Sequence, residues 1–187
     1  MPKLWNDTIE THRQAVREAT LDATAGLVAE RGLAAVTMSD IARATGIGRA
    51  TLYKYFPDVE AILIAWHERM IAHHLEMLTA AAQSAEGPLE ALQAVLEAYA
   101  LMSQSHHGHA LAGLLHGLPH AKHAHRHLRS FVATLIAGAV KAGHVRADVP
   151  APELAAFAFS ALSSADALPS KQAAHRLVAV VMRGLAP

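Results

Sequence analysis

Arginine and lysine side chains lie in a part of the sequence that contains no carboxylate. Residues 41–57 include Arg43, Arg49 and Lys54 but neither aspartate nor glutamate. The chain as a whole is neutral, with 16 Lys+Arg against 16 Asp+Glu. The positive charge is therefore local, and a patch of this kind suits contacts with the phosphates or base edges of a nucleic acid. Arginine can form two hydrogen bonds to the edge of a guanine.

Histidines form a second group of side chains that could do chemistry. Of the 14 histidines in the chain, eight lie between residues 106 and 127: His106, His107, His109, His116, His120, His123, His125 and His127. On a helix, several of them would lie one turn apart, within reach of one metal ion.

Three interpretations of these histidines stay open. They are exposed polar residues, or hydrogen-bond partners in a small-molecule pocket, or ligands of a zinc or nickel ion held by imidazoles alone. Clustered histidines without a motif are weak evidence for a metal. We therefore predict no metal ligand and no cofactor, and keep metal binding as an alternative.

An enzyme is an alternative function for this sequence. Ser103 and Ser105 precede His106 and His107 and could be taken for nucleophile and base. No nucleophile elbow, glycine-rich phosphate loop or pair of carboxylates accompanies them. We expect no catalytic residue and no enzyme.

Composition predicts an all-α protein. Hydrophobic residues make up 52% of the chain and aromatic residues 5%, alanine and leucine are abundant, and no stretch alternates like a strand. The absence of cysteine excludes disulfides and thiolate metal sites. The first residues lack the apolar run of a signal peptide, and the most apolar stretch, residues 131–140, is too short to span a bilayer. We expect a cytoplasmic protein without membrane contact.

The basic window falls on two short predicted helices. Thr37 followed by Asp40 is typical of an N-terminal capping pair and predicts a helix over Met38–Thr45. Gly46 forms a tight turn, and a second helix follows over residues 48–56. Two short helices joined in this way make a helix-turn-helix. Leu52 and Phe56 are predicted to lie in the core rather than at a contact surface.

Helical spacing of apolar residues predicts seven further helices. Their ranges are 6–31, 58–82, 89–105, 110–118, 120–142, 152–168 and 170–185, which makes nine in all. On the last two, apolar stripes are formed by Leu154, Phe157, Ala158, Ala161, Leu162 and Ala165 and by Leu177, Val178, Val181 and Leu185.

The sequence of residues 36–62, VTMSDIARATGIGRATLYKYFPDVEAI, resembles the DNA-binding segment of the TetR family of transcriptional regulators. The resemblance lies in the T-x-x-x-I-A-x-x-x-G turn followed by the run GRATLYKYF. It extends over residues 16–64, about a quarter of the chain. The nine-helix layout is similar to the family as well.

The resemblance implies contacts with double-stranded DNA for seven residues. Three in the first turn of the second short helix would face the major groove: Arg49, Ala50 and Thr51. Four would contact the sugar-phosphate backbone of the DNA: Thr37, Tyr53, Lys54 and Tyr55. Lys54 could contact a base instead.

One position departs from the family pattern. The family usually carries a phosphate-binding lysine where this chain has Val59. Asp58 can still cap the helix that begins there. We therefore expect the backbone contacts to depend more on Tyr55, Lys54 and N-terminal basic residues such as Lys3.

The resemblance also implies the organisation of the whole chain. Residues 1–57 would form the DNA-binding domain, and residues 58–187 the effector-binding and dimerisation domain, with helix 58–82 connecting them. Helices 152–168 and 170–185 would pair with those of a second copy. The resulting homodimer would bind a palindromic operator whose half-sites are ~34 Å apart or a multiple of that.

The implied function is that of a repressor released by a small, mostly apolar effector. The predicted pocket lies within residues 85–165 and is lined by Leu92, Leu96, Tyr99, Met102, Leu115, His116, Phe131, Leu135 and Phe157. A metal-responsive regulator that uses the histidines of residues 106–127 is the alternative.

Overall fold

The protein is all-α. A computed structural model describes residues 2–105 and 119–187, and within these ranges it contains eight α-helices, two short 3-10 helices and no strand. The fold class predicted from composition is confirmed. The helix predicted over residues 110–118 lies outside the described part of the chain.

The α-helices are α1 Pro2–Arg31, α2 Met38–Thr45, α3 Arg49–Tyr55, α4 Val59–Gln83, α5 Pro88–Ser105, α6 Pro119–Lys141, α7 Ala151–Ser163 and α8 Lys171–Leu185. The 3-10 helices are Leu33–Ala35 and Ser164–Ala167. The described residues group into two compact units, one up to Met70 and the other from Ile71 onwards. The boundary between the units falls within α4, and the domain division expected at residue 57 stays a prediction.

The first unit packs α1 against α2, and α2 against α3. Its core contains Leu21 of α1, Ile41 of α2, Leu52 of α3 and Ile62 of α4, each with at most 1% of its surface exposed. Apolar burial of this extent stabilises two short helices that would be marginal alone.

The second unit is a bundle in which α5 packs against α6, α7 and α8, and α7 packs against α6 and α8. Its core includes Leu96, Ile136, Leu162 and Leu185. No helix in the described ranges has both the length and the apolar character needed to cross a membrane.

The helix predicted over residues 152–168 is shorter in the structure. Its α-helical part ends at Ser163, and Ser164–Ala167 continue as a 3-10 turn. The hydroxyls of Ser163 and Ser164 donate to the carbonyls of Ser160 and Ala161, at 2.8 and 2.7 Å, which competes with regular helix bonding. Leu168 is extended (ψ 143°), as expected of a residue before proline.

The aromatic residue that α7 buries is Phe159. Its ring meets Tyr99 of α5 edge-on, with 4.8 Å between centroids, whereas Phe157 is 47% exposed. Within one chain, the predicted apolar stripe therefore does not lie in the core at Phe157. The buried stripe runs through Ala155 and Phe159 instead, because a wide helical face can include either of two aromatics two residues apart but not both.

Candidate nucleic-acid interface

A capping box fixes the start of α2. The backbone N–H of Asp40 donates to Oγ1 of Thr37 at 3.3 Å, and the N–H of Thr37 donates to Oδ2 of Asp40 at 3.1 Å. Two amides that the helix cannot pair internally are thus satisfied. The capping pair predicted from the sequence is confirmed.

The Thr37 hydroxyl is occupied in this arrangement. It donates its proton to Oδ2 of Asp40 at 2.5 Å, and a hydroxyl has one proton to give. The hydrogen bonds from Thr37 and the charges of Arg43 and Arg31 lower the pKa of Asp40. For Thr37 to donate to a DNA phosphate, its hydroxyl must rotate away from this carboxylate.

Gly46 makes the turn between the two short helices. Its φ of 70° lies in the left-handed region, which is strained for residues that carry a Cβ. The N–H of Ile47 then donates to Oγ1 of Thr45 at 3.3 Å. Gly48 is extended and begins α3, so the predicted helix-turn-helix is present.

Helix α3 has one buried position and one exposed side. Leu52 is fully buried and Phe56, just after the helix, is 3% exposed, so their predicted place in the core is confirmed. Six of the seven predicted DNA-contact residues are exposed: Thr37, Arg49, Ala50, Thr51, Tyr53 and Lys54. The seventh, Tyr55, is half-buried. Their contacts with DNA stay predictions.

The cations of residues 41–57 are not equivalent. Arg43 forms an ion pair with Asp40 at 2.8 Å, so a carboxylate just outside the window offsets its charge. Among the described side chains, no carboxylate pairs with Arg49 or Lys54. The positive charge available to a polyanion is therefore concentrated on α3.

The segment after α3 is anchored from two sides. The guanidinium of Arg17 in α1 lies 5.0 Å from the ring centroid of Phe56, a favourable cation–π distance. Oδ1 of Asp58 accepts from the N–H of Ala61 at 2.8 Å, so the predicted cap of α4 is confirmed. Val59, at the position of the expected lysine, is half-buried, and the side chain of Lys3 lies outside the described part.

One contact within the first unit was not found from the sequence. Arg69 of α4 pairs with both Glu18 and Asp22 of α1. The two carboxylates are one helical turn apart, so they form one acceptor face. The i,i+4 spacing of the two carboxylates is visible in the sequence. The arginine that pairs with them lies dozens of residues away, and no local pattern identifies it.

The predicted effector-pocket residues differ in their burial. Leu92 and Leu96 are fully buried in the closed core. Four others are half-buried and packed against that core: Tyr99, Met102, Phe131 and Leu135. Phe157 is exposed, and Leu115 and His116 lie outside the described residues. The pocket as predicted stays untested.

A small cavity of about 180 Å³ opens between α5, α6 and α7. It shares one residue, Tyr99, with the predicted pocket. Its other polar lining residues are His125, Arg129, Ser160 and Ser163, and its apolar ones are Leu128 and Phe159. Burial raises the pKa of Tyr99, opposed by a hydrogen bond with Ser103 and by the charge of Arg129.

The histidine group is only partly described. His123 and His127 lie on the exposed side of α6 with their Nε2 atoms 2.8 Å apart. Four of the eight histidines, His106, His107, His109 and His116, and the side chain of His120 fall outside the described residues. In the part of the chain that is described, no group of three potential metal ligands comes together.

Two protein-family models match the chain. Residues 21–66 match that of bacterial regulatory proteins, tetR family, and residues 87–187, more than half of the chain, match that of the transcriptional regulator SbtR-like C-terminal domain. The first match contains the whole helix-turn-helix, and the second contains α5 and everything after it.

Curated relatives match over shorter stretches. The HTH-type transcriptional regulator BetI of Rhizobium meliloti is 31% identical over 96 residues, which is 51% of this chain and 44% of BetI. The regulator EthR of Mycobacterium tuberculosis is 41% identical over 56 residues, 29% of this chain and 26% of EthR. The matches thus span less than half of the length of these relatives.

A solved structure is similar over nearly the whole chain. A TetR/AcrR-family regulator from Thermobifida fusca has a TM-score of 0.78 at 20% identity, covering 90% of this chain and 97% of its own. At this identity the likeness concerns the fold.

Proposed function

Because this chain belongs to the TetR family of bacterial regulatory proteins, we propose that it is a repressor that leaves its operator when a small molecule binds its second unit. The relatives are transcriptional regulators, and the chain is a regulator and not an enzyme. The repressor role, the operator and the effector are the proposed parts.

The observation that carries the proposal is the exposed side of α3. Arg49, Ala50 and Thr51 are exposed in its first turn while Leu52 holds the helix in the core. A recognition helix presents such N-terminal side chains to base edges in the major groove. Arg49 would pair with guanine, and Thr37, Tyr53, Lys54 and Tyr55 would contact the backbone.

We further propose that the regulator is a homodimer. One short recognition helix contacts few bases, and a two-fold dimer doubles the site. Phe157 of α7 and Val180 of α8 are 47% and 57% exposed, and large apolar side chains at the surface of two neighbouring helices favour pairing with a second copy. Residues 1–57 would form the DNA-binding domain and 58–187 the effector and dimerisation domain.

The dimer can be tested by sedimentation. Val180→Glu should convert a dimer to a monomer without loss of helix content, because the charge would be buried unpaired in the interface. The matched control is Thr134→Glu on the exposed side of α6, which should leave the dimer intact. Monomeric wild-type protein at micromolar concentration would contradict the dimer.

The repressor proposal is tested on the DNA that flanks the gene of this protein. Binding should prefer a palindrome in that DNA over a scrambled sequence, with two chains per site. Affinity should fall steeply, by about 10³-fold or more between ~50 and ~200 mM salt for six or more phosphate contacts. Equal binding to both sequences at low salt would overturn it.

No observation among the described residues favours the metal-responsive alternative. His123 and His127 are one pair, and the sites typical of zinc need three or four protein ligands. Two measurements decide this alternative: the metal content of protein purified without a nickel column, and the effect of added metal on its affinity for DNA. Absence of bound metal and an unchanged DNA affinity would remove the alternative.

A further inference from the structure

The cavity between α5, α6 and α7 is lined mainly by hydrogen-bonding groups. Arg129 supplies a guanidinium, Tyr99 a phenol, and Ser160 and Ser163 two hydroxyls. Such convergent polar groups orient a ligand in a pocket. Among the described residues the lining contains no carboxylate, so no negative charge from them opposes an anion.

Arg129 is suited to bind that anion. It forms no ion pair with a carboxylate in the described part of the chain, and its charge acts on the phenol of Tyr99 across the cavity. A guanidinium presents two parallel donors that match a carboxylate. The hydroxyl of Ser163 already donates to the carbonyl of Ser160, so we take the guanidinium as the principal donor to a ligand.

The rest of the cavity limits the size and character of the ligand. Leu128 and Phe159 form an apolar wall, and Phe159 is held by its edge-on contact with Tyr99. A volume of about 180 Å³ has room for about six water-sized groups. This volume can enclose a short aliphatic chain, whereas a long acyl chain would extend out of it.

We propose that this cavity binds a short aliphatic carboxylate, with the carboxylate at Arg129 and the chain against Leu128 and Phe159. The binding of such a ligand does not depend on the proposed function; its role as the effector of the regulator does. It replaces the mostly apolar effector expected from the sequence with a ligand that carries one negative charge.

The test is calorimetric titration of the purified chain with butanoate, butanol, butylamine and inorganic phosphate. Butanoate should bind at least about tenfold more tightly than the alcohol, since hydrogen bonds to charged groups are the stronger ones. The amine should not bind. Phosphate should bind more weakly than butanoate because it cannot use the apolar wall.

Two variants complete the test. Arg129→Gln should weaken butanoate binding at least about tenfold, and Arg126→Gln, which removes an arginine of the same helix that does not line the cavity, should leave it unchanged. Both residues are exposed, so both variants should fold as the wild type does.

Equal binding of butanoate and butanol, phosphate binding as tight as butanoate, no binding of any probe, or equal effects of the two variants would each overturn the inference. The titration needs no DNA, so its failure leaves the repressor proposal standing. Conversely, butanoate binding by a chain that shows no operator preference would support the cavity assignment while the repressor proposal fails.

Discussion

The helix-turn-helix and the small cavity are built in opposite ways. The caps and the turn of the helix-turn-helix and of the segment after it are made by hydrogen bonds between residues close in sequence: Thr37 with Asp40, Ile47 with Thr45, Asp58 with Ala61. In the cavity, Tyr99 and Arg129 come from different helices and meet only in the folded bundle.

The residues that carry function and those that carry stability are therefore more distinct in the helix-turn-helix than in the cavity. On α3 the exposed side chains can change while Leu52 holds the helix. In the cavity, Tyr99 and Phe159 line the ligand space and pack against or within the core, so a change there alters both binding and packing. The following predictions test this separation, starting with the largest effect.

Truncating the buried anchor of α3 should cause the largest loss. Leu52 is fully buried, so Leu52→Ala should lower the free energy of unfolding of the first unit by about 2–5 kcal/mol and abolish operator binding. Hydrogen exchange should show lost protection in α2 and α3 but not in α5–α8, whose core cluster includes no described residue before Leu78 of α4. Thr51→Ala, at an exposed neighbour, is the control for stability only; equal loss of protection in both units would contradict the prediction.

Removing Arg49 should affect recognition and leave stability unchanged. Arg49→Ala should reduce discrimination of the operator from mutated sites by about 1–3 kcal/mol, with an unchanged melting temperature because the residue is exposed. Competition binding on single-base operator variants measures this. Arg43→Ala should change base preference little, since Arg43 is paired with Asp40; the reverse ranking would place the base contact on α2.

Removing the cap of α2 should have a smaller effect with a defined pH dependence. Thr37→Ala should cost about 0.5–2 kcal/mol. The pKa of Asp40 is lowered from 3.8 in the folded chain, so its stabilising contribution is complete above that value and is lost as the pH falls through the lowered pKa. The melting temperatures of wild type and Asp40→Asn should therefore differ at pH 6 and converge in strong acid. A constant difference would show that the carboxylate charge is irrelevant.

Helix glycines should give the smallest effects, with the same sign in both units. A Cβ at Gly26 of α1 or Gly138 of α6 would meet nothing within 4 Å, so each Gly→Ala change should stabilise by about 0.5–1 kcal/mol. Gly46→Ala, at a φ of 70°, should destabilise instead. Thermal unfolding measures all three, and stabilisation by Gly46→Ala would rule out a strained turn.

The features that could be predicted from the sequence are those made by residues close together in the chain. Capping pairs, the turn at Gly46 and the buried Leu52 depend on residues a few positions apart, and the residue types at helix ends together with the spacing of apolar residues located them. The fold class followed from composition. The family resemblance rested on the same local segment.

The parts that could not be predicted depend on distant partners. Phe157 and Phe159 differ little as sequence positions on one helix, and it is the packing of α7 on distant helices, such as the contact of Phe159 with Tyr99 of α5, that distinguishes them. The cavity is missed for the same reason, since its polar residues have no shared motif. The pairing of Arg69 with α1 is a third case.

That pairing also has an unequal dependence on its three members. One guanidinium pairs with both Glu18 and Asp22, so the loss of either carboxylate would leave Arg69 paired with the other. The loss of Arg69 would instead leave two neighbouring carboxylates on α1 without this partner, and like charges one helical turn apart repel each other. The attachment of α4 to α1 through these charges therefore tolerates a change on α1 better than a change on α4.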